Sequence, residues 1–244
     1  MEALDLPLGY PNGKAATYVA NAFYRRWQPR ELAGVKLLYI HAHGPGLLHS
    51  VKPIQRLEDM KGKKIRSTGL SAKVVSALGA VPVAMPQGGT YEALQKGIVD
   101  GTFAPIETLK GWKQAEVVKS TTDCNAIGYT TAMFVAMNLK KWQSLPPDVQ
   151  KVIEQLNEEW IDVHARAWDD LDAQGRQYTL SLGNRIVPLS RAESQRWAKA
   201  IAPVVNEYVA TVISVIRHQV GGIGDEGHIA SIVADGDAPT VTIA

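Results

Sequence analysis

Apolar and polar positions follow two different periods along this chain, and the change of period divides it. In the first half, short apolar runs alternate with short helical stretches. VKLLYI (35–40) is a continuous apolar run, KKIRS (63–67) is a short strand, and VPVAM (81–85) is apolar and bounded by Gly79 and Pro86. Between the last two lies SAKVVSALG, whose Val74, Val75 and Leu78 share one helical face before Gly79 stops it. GTYEALQKG predicts another short helix, carrying Ala93 and Leu94 and ending at Gly97. IVDGTFAP reads as strand, turn and loop, and AIGYTTAMFVAMN (126–138) is the longest strand predicted. This β-α-β-α order predicts an α/β protein with a mainly parallel sheet.

The second half is helical. Pro146 and Pro147 suit a first helical turn, and Asp148 complements the helix dipole. Apolar residues then recur at 149, 152, 153, 156, 160, 163, 167, 171 and 178, a helical stripe that ends at Gly183. A helix of about 35 residues is roughly 50 Å long, more than a small domain's diameter, so it is expected to brace two lobes. Trp160 and Trp168 follow this stripe as lobe-packing residues, and Gly175 is the place for a bend. A further helix is predicted over 191–217, and the Gly- and Asp-rich tail from 218 to 244 is expected to be loosely held.

Composition narrows the function classes. The 244 residues are 45% hydrophobic and 20% charged, with 26 basic and 24 acidic side chains and a net charge of +2. That balance offers no field for nucleic acid or an acidic membrane surface. No apolar run reaches the length of a membrane span. The N-terminal stretch MEALDLPLGYPNGK has neither a basic nor an apolar signal region. The single cysteine, Cys124, excludes an internal disulfide and a two-cysteine zinc site, and reads as a small filler near a strand. No phosphate loop, dinucleotide fingerprint or nucleophile elbow occurs, and Asp169 and Asp170 are adjacent and so lie on different helix faces. No catalytic residue, metal ligand or cofactor is assigned.

One basic run asks for more than a solvated edge. In MKGKKIRSTG (60–69), Lys61, Lys63 and Lys64 suit a solvent face, but Arg66 stands where a strand ends and a turn begins. Read alone it is either a surface charge or a guanidinium aimed at an anion. The segment LEDMKGKKIRSTG, followed by ALGAVPVAMPQGGTYEALQKGIVDGTFAP and then MNLKKWQSLPPDVQKVI, resembles the solute-binding proteins of tripartite ATP-independent periplasmic (TRAP) transporters, of the DctP-like, dicarboxylate-binding type. The resemblance runs over roughly residues 5 to 215 as an ordered set of motifs.

The resemblance implies a two-lobed periplasmic-binding-protein-like α/β fold with a long helix bracing both lobes. Residues 1–42 and 131–170 would be what remains of lobe I, and 43–130 with 171–217 would be lobe II. The first lobe would be incomplete, because family members carry an export signal and a β-α-β-α-β portion ahead of this point. Partners implied are a small organic acid and the membrane permease subunits of a TRAP transporter, and the compartment implied is the periplasm. The alternatives are an α/β enzyme acting on a small anionic substrate, or a fragment that binds nothing.

Candidate ligand residues follow from the same resemblance. Arg66 would pair with a ligand carboxylate through two parallel donors, with Thr68 just beyond it. Phe103 and Ala104 lie on the segment that reaches the cleft; many members carry Asn where Ala104 stands, and some carry a second arginine near Gly46. His41 and His43 alternate and so share a face where the chain crosses between lobes, and His43 is a candidate donor. Tyr91 either reaches the cleft or packs half-buried. Tyr129 and Thr130 are pocket residues by position, and Glu107 is a possible partner for Arg66 in the empty protein. Loss of the Asn and the second arginine, with an aromatic at 103, points to a monocarboxylate with an apolar or aromatic body.

Overall fold

The computed structural model describes residues 2–220, and side chains as far as residue 212. The tail expected to be loose lies largely outside the described residues. Asn12 opens the first helix by accepting the Ala15 N–H at 2.7 Å, and α1 runs from Gly13–Trp27. Its buried Thr17 and Asn21 face β1 (Val35–Ala42). Thr17 bonds both main-chain groups of Ala42, and Asn21 bonds both of Ile40. A helix thus satisfies a strand edge with side chains, which blunts that edge.

The chain then crosses to β2 (Gly46–Ser50) and continues through β3 (Lys64–Ser67), α2 (Ser71–Ala77), β4 (Val81–Ala84), α3 (Thr90–Gln95), β5 (Gly101–Pro105), α4 (Thr108–Gly111) and β6 (Ser120–Asp123). It crosses back into β7 (Ala132–Asn138), turns through α5 (Leu139–Gln143), and enters the long α6 (Pro147–Ser181) before β8 (Arg185–Pro188) and α7 (Arg191–Val220). Strands β1 and β7 form an antiparallel pair, and the other six form a sheet in the order β4-β3-β5-β2-β6-β8. The large sheet is mainly parallel, as expected; only β2 runs against both neighbours.

Two strand expectations need correction. The turn in IVDGTFAP precedes the strand: Ile98 and Val99 still donate to Ala93 as the end of α3, Asp100 accepts the Lys64 N–H, and β5 follows. The strand expected over 126–138 begins at Ala132, and β1, with eight residues, is longer. Residues 125–127 form a 3-10 turn instead, and 128–131 are used in the crossover.

The long helix is one unbroken element. Its first half packs on α1 and β1, and its last turns pack on α4 and β8. The buried side chains are Asn157, Ile161, Ala165, Gly175 and Thr179, not the apolar stripe; Val152, Leu156, Trp160 and Val163 are exposed. Gly175 serves close approach, since a Cβ there would run into the Ile106 carbonyl. The main core lies around the six-stranded sheet, with Leu47, Leu48, Ile65, Val74, Phe103, Leu109 and Trp197 at its centre. A smaller cluster of Leu4, Ala20, Leu32, Leu37 and Ile40 lies under β1. Among the described residues, 2–201 form one compact unit and 202–220 fall in a second.

Candidate functional site

The site is built where β3 and the two crossovers meet. β3 buries Ile65 in the core on one face and Arg66 on the other. Arg66 is only 6% exposed, and its Nε donates to the Met85 carbonyl at 3.2 Å. Among the described residues no carboxylate forms an ion pair with it. Burial pushes its pKa down, opposed by the neighbouring Tyr129. Thr68 follows at the exposed end of the strand, where its main chain bonds the Ser71 hydroxyl in both directions.

Tyr129 is the floor of this corner. It is buried, its hydroxyl donates to the Phe103 carbonyl at 3.0 Å, and the two rings lie 5.0 Å apart. Burial pushes its pKa to about 12, with Arg66 and the Ser71 hydroxyl acting the other way. A Cβ on Gly46 would strike the Tyr129 ring. The phenol therefore fills the room that a side chain at 46 would need, which accounts for glycine at this position.

Several expected site residues are occupied elsewhere. His43 Nε2 accepts the Thr131 N–H at 3.1 Å and its Nδ1 donates to the Gly44 carbonyl at 2.5 Å, while Thr130 donates to the His43 carbonyl at 2.6 Å. Burial holds the ring neutral, with a pKa near 4. His43 and Thr130 thus tie the outgoing crossover to the returning one. His41 takes the Trp168 indole N–H at 3.1 Å and stacks on His164 at 4.5 Å. No group of side chains able to hold a metal ion occurs among the described residues. Ala104 lies inside β5, where its carbonyl accepts from His49 Nε2 at 3.0 Å. Tyr91 donates to Glu116 at 3.0 Å, a carboxylate also bonded by Tyr178. Trp160 lies 45% exposed.

Glu107 does not approach Arg66. It sits against Asp172 of α6, whose Oδ1 accepts the Glu107 N–H at 3.2 Å. Burial and the other carboxylate raise Glu107 to about 7, and burial raises Asp172 to about 6. Cys124 is buried with its thiol pushed up to about 12, in keeping with a filler role.

Residues the sequence did not single out complete the corner. Asp5 brings Oδ2 to 3.6 Å from where a Cβ on Gly69 would stand, in the turn after β3. Tyr10 is buried near it, with burial and Asp5 together raising its pKa to about 12. Neither lies in a periodic segment, so the pattern gave no signal for them.

Comparisons with known proteins identify the family. The family model described as "Bacterial extracellular solute-binding protein, family 7" (DctP) matches residues 1–211. The C4-dicarboxylate-binding periplasmic protein DctP of Vibrio cholerae is 29% identical over 180 residues, covering 72% of this chain and 53% of the relative. A crystal structure of a TRAP solute-binding protein from Rhodoferax ferrireducens T118, in complex with copurified benzoate, superposes with a TM-score of 0.80 at 30% identity, covering 89% of this chain and 69% of that one. A TRAP periplasmic solute-binding protein from Bordetella bronchiseptica, with bound (R)- and (S)-mandelate, gives a TM-score of 0.80 at 26% identity, covering 88% and 70%. The chain thus spans about half the length of the curated relatives it matches. These matches, with the mixed α/β fold and the long helix, place the chain in the DctP family of TRAP-type solute-binding proteins.

Proposed function

We propose that this protein captures a small organic carboxylate in the periplasm, without catalysis, and delivers it to the membrane subunits of a TRAP transporter. The observation that carries this reading is Arg66: a buried guanidinium at a strand end with no carboxylate partner among the described residues. A buried cation of this kind needs an anion, and its paired donors fit a carboxylate's two oxygens. Residues 1–42 with 131–170 would form one lobe and 43–130 with 171–217 the other, the crossovers at 43–46 and 128–131 acting as the hinge. The Tyr129 phenol beside Arg66 suits a ligand with an apolar or aromatic body. Relatives named for benzoate and mandelate support the same class.

Calorimetric titration with benzoate tests the reading. Arg66→Ala should weaken binding by about 2–5 kcal/mol, the range for truncating one member of a buried charged pair. Arg66→Lys should recover only part of it, because an ammonium cannot make the two-pronged contact. Lys63→Ala should be nearly silent. Equal affinity for Arg66→Ala and the parent would sink the proposal.

A further inference from the structure

The six-stranded sheet has two ends, and Arg66 with Thr68 marks only one of them. At the other end, main-chain bonds tie the strand ends into a row. Val81 N–H donates to the Lys63 carbonyl at 2.7 Å, and Asp100 N–H to the Lys64 carbonyl at 2.7 Å. Val51 donates to Asp100 at 2.9 Å, Lys119 to Ser50 at 2.9 Å, and Arg185 to Lys119 at 3.1 Å. All six strands of the sheet, from β4 to β8, reach this row. Lys52, Lys63, Lys64, Lys119 and Arg185 stand along it; Lys63 is half-buried and the other four are exposed. None of them forms an ion pair among the described residues. Asp100, the carboxylate of this row, is occupied by the Lys64 N–H, which its Oδ2 accepts at 2.9 Å. Between Val51, Lys52, Ile54, Lys63 and Asp100 the row opens into a notch of about 80 Å³. Neighbouring strands lie about 4.8 Å apart, so from β3 to β8 the row spreads its cations over roughly 20 Å.

We infer that this end of the sheet is a docking surface for an extended acidic segment of another protein, with one glutamate-like side chain seated in the notch between Lys52 and Lys63. Unpaired cations gathered in a row repel one another, and an anionic partner relieves that repulsion. The net charge of +2 gives little long-range field, so the row acts at contact. The notch favours a peptide over an anionic lipid surface. Its apolar walls, Val51 and Ile54, suit a methylene stem, and its two lysines suit the carboxylate. A flat layer of headgroups would meet the outer cations and leave the notch unused. The row lies at the start of β3 and Thr68 lies beyond its end, so an occupant here leaves Arg66 open. The inference stands on this row and does not depend on the carboxylate reading of Arg66.

Fluorescence polarisation of the full chain at low ionic strength, where exposed charges are least screened, tests it. The probe is a labelled short peptide of alternating Glu and Ala, capped at both ends, and its Gln–Ala counterpart is the control. The Glu peptide should bind and the Gln peptide should not. Lys52→Glu combined with Lys63→Glu should weaken binding about tenfold or more, since two exposed pairs are replaced by like charges. Lys119→Glu alone should cost about two- to fivefold. Lys140→Glu combined with Lys141→Glu, on α5 beside β7, should change little. Each variant is checked for folding by its melting transition. Excess benzoate should not displace the peptide. Failure of the Glu peptide to bind overturns the inference, and so does an equal loss from the α5 reversal, which would mean unspecific attraction. Displacement by benzoate overturns it by moving the peptide to Arg66. Binding to phosphatidylglycerol vesicles that the Lys52 and Lys63 reversals abolish, with no binding of the Glu peptide, overturns it in favour of a membrane contact. Peptide binding that depends on the row in a chain that does not bind benzoate sustains the docking surface and counts against the Arg66 reading alone.

Discussion

The six-stranded sheet and the β1–β7 pair differ in how thoroughly they are covered. In the large sheet β2 and β5 are buried along their whole length, and one continuous core runs from Leu47 to Trp197. In the pair, β7 alternates partly buried and exposed positions, and Phe134 is 56% exposed. Burial scales with the number of layers packed on a sheet, and so does its stabilising free energy. Arg66 stands on the well-covered side, where its Nε is held by the Met85 carbonyl. Asp5 and Tyr10 come from segments next to the thinner cluster.

The largest expected effect tests that inequality directly. Ile65 and Ile40 are both fully buried, one at the centre of the large core and one in the small cluster. Ile65→Ala should cost about 2–5 kcal/mol, and it should weaken carboxylate binding because Arg66 is its neighbour in β3. Ile40→Ala should fall toward the low end of the same range, since the small cluster has fewer rigid walls and can close around the gap. Urea unfolding of both variants measures the difference. A larger loss for Ile40→Ala would reverse the comparison.

The same contrast explains what could be read in the sequence. Segments whose periodicity reflects a covered face were legible: α2 and α3 with their glycine stops, and β3 and β4. Gly79 and Gly97 do adopt positive φ at those helix ends. The extent of α6 was legible too, but not its buried face. Most of its apolar stripe is exposed, whereas Asn157, Ala165 and Gly175 are buried, Gly175 through close approach to the Ile106 main chain. Helix α1 was missed because its buried face is Ala16, Thr17, Ala20 and Asn21, two of them polar. β2 and β6 were missed for a related reason: His49, Ser50, Ser120, Thr121 and Thr122 are buried polar residues, with His49 bridging Thr121 and Ala104. At the candidate site, the motif around Arg66 drew attention to β3, where the guanidinium is buried. Glu107 was misjudged because proximity along the chain gave no hint that α6 would bring Asp172 against it.

That contact leads to the next prediction in size. Glu107 and Asp172 both have folded pKa values above those of the unfolded chain, near 7 and near 6. The folded state therefore holds protons that the unfolded state has released, so stability declines as pH rises through this window. Glu107→Gln removes one of the two titrating groups and should stabilise the protein by about 1–2 kcal/mol at pH 8, discounted for partial solvent access. The gain should shrink toward zero at pH 4.5, where the parent carboxyl is itself protonated. Melting curves of parent and variant across that range measure it. A gain that is the same at both pH values would mean that the pair is not the source.

The smallest expected effect is on the bare side of the comparison. Phe134 projects from β7 into solvent, and Val152, Leu156 and Trp160 lie exposed along α6. An exposed aromatic contributes little to folding, because its surface stays in contact with water on both sides of the transition. Phe134→Ser should therefore change stability by no more than about 0.5 kcal/mol, the usual range for surface positions. Removing an apolar side chain from an exposed strand should also raise the concentration at which the protein begins to associate, since such strands template pairing between copies. Urea unfolding measures the first effect and light scattering against concentration the second. A loss above about 1 kcal/mol would show that this face is covered in solution, and the contrast between the two sheets would then be smaller than the exposure of Phe134 implies.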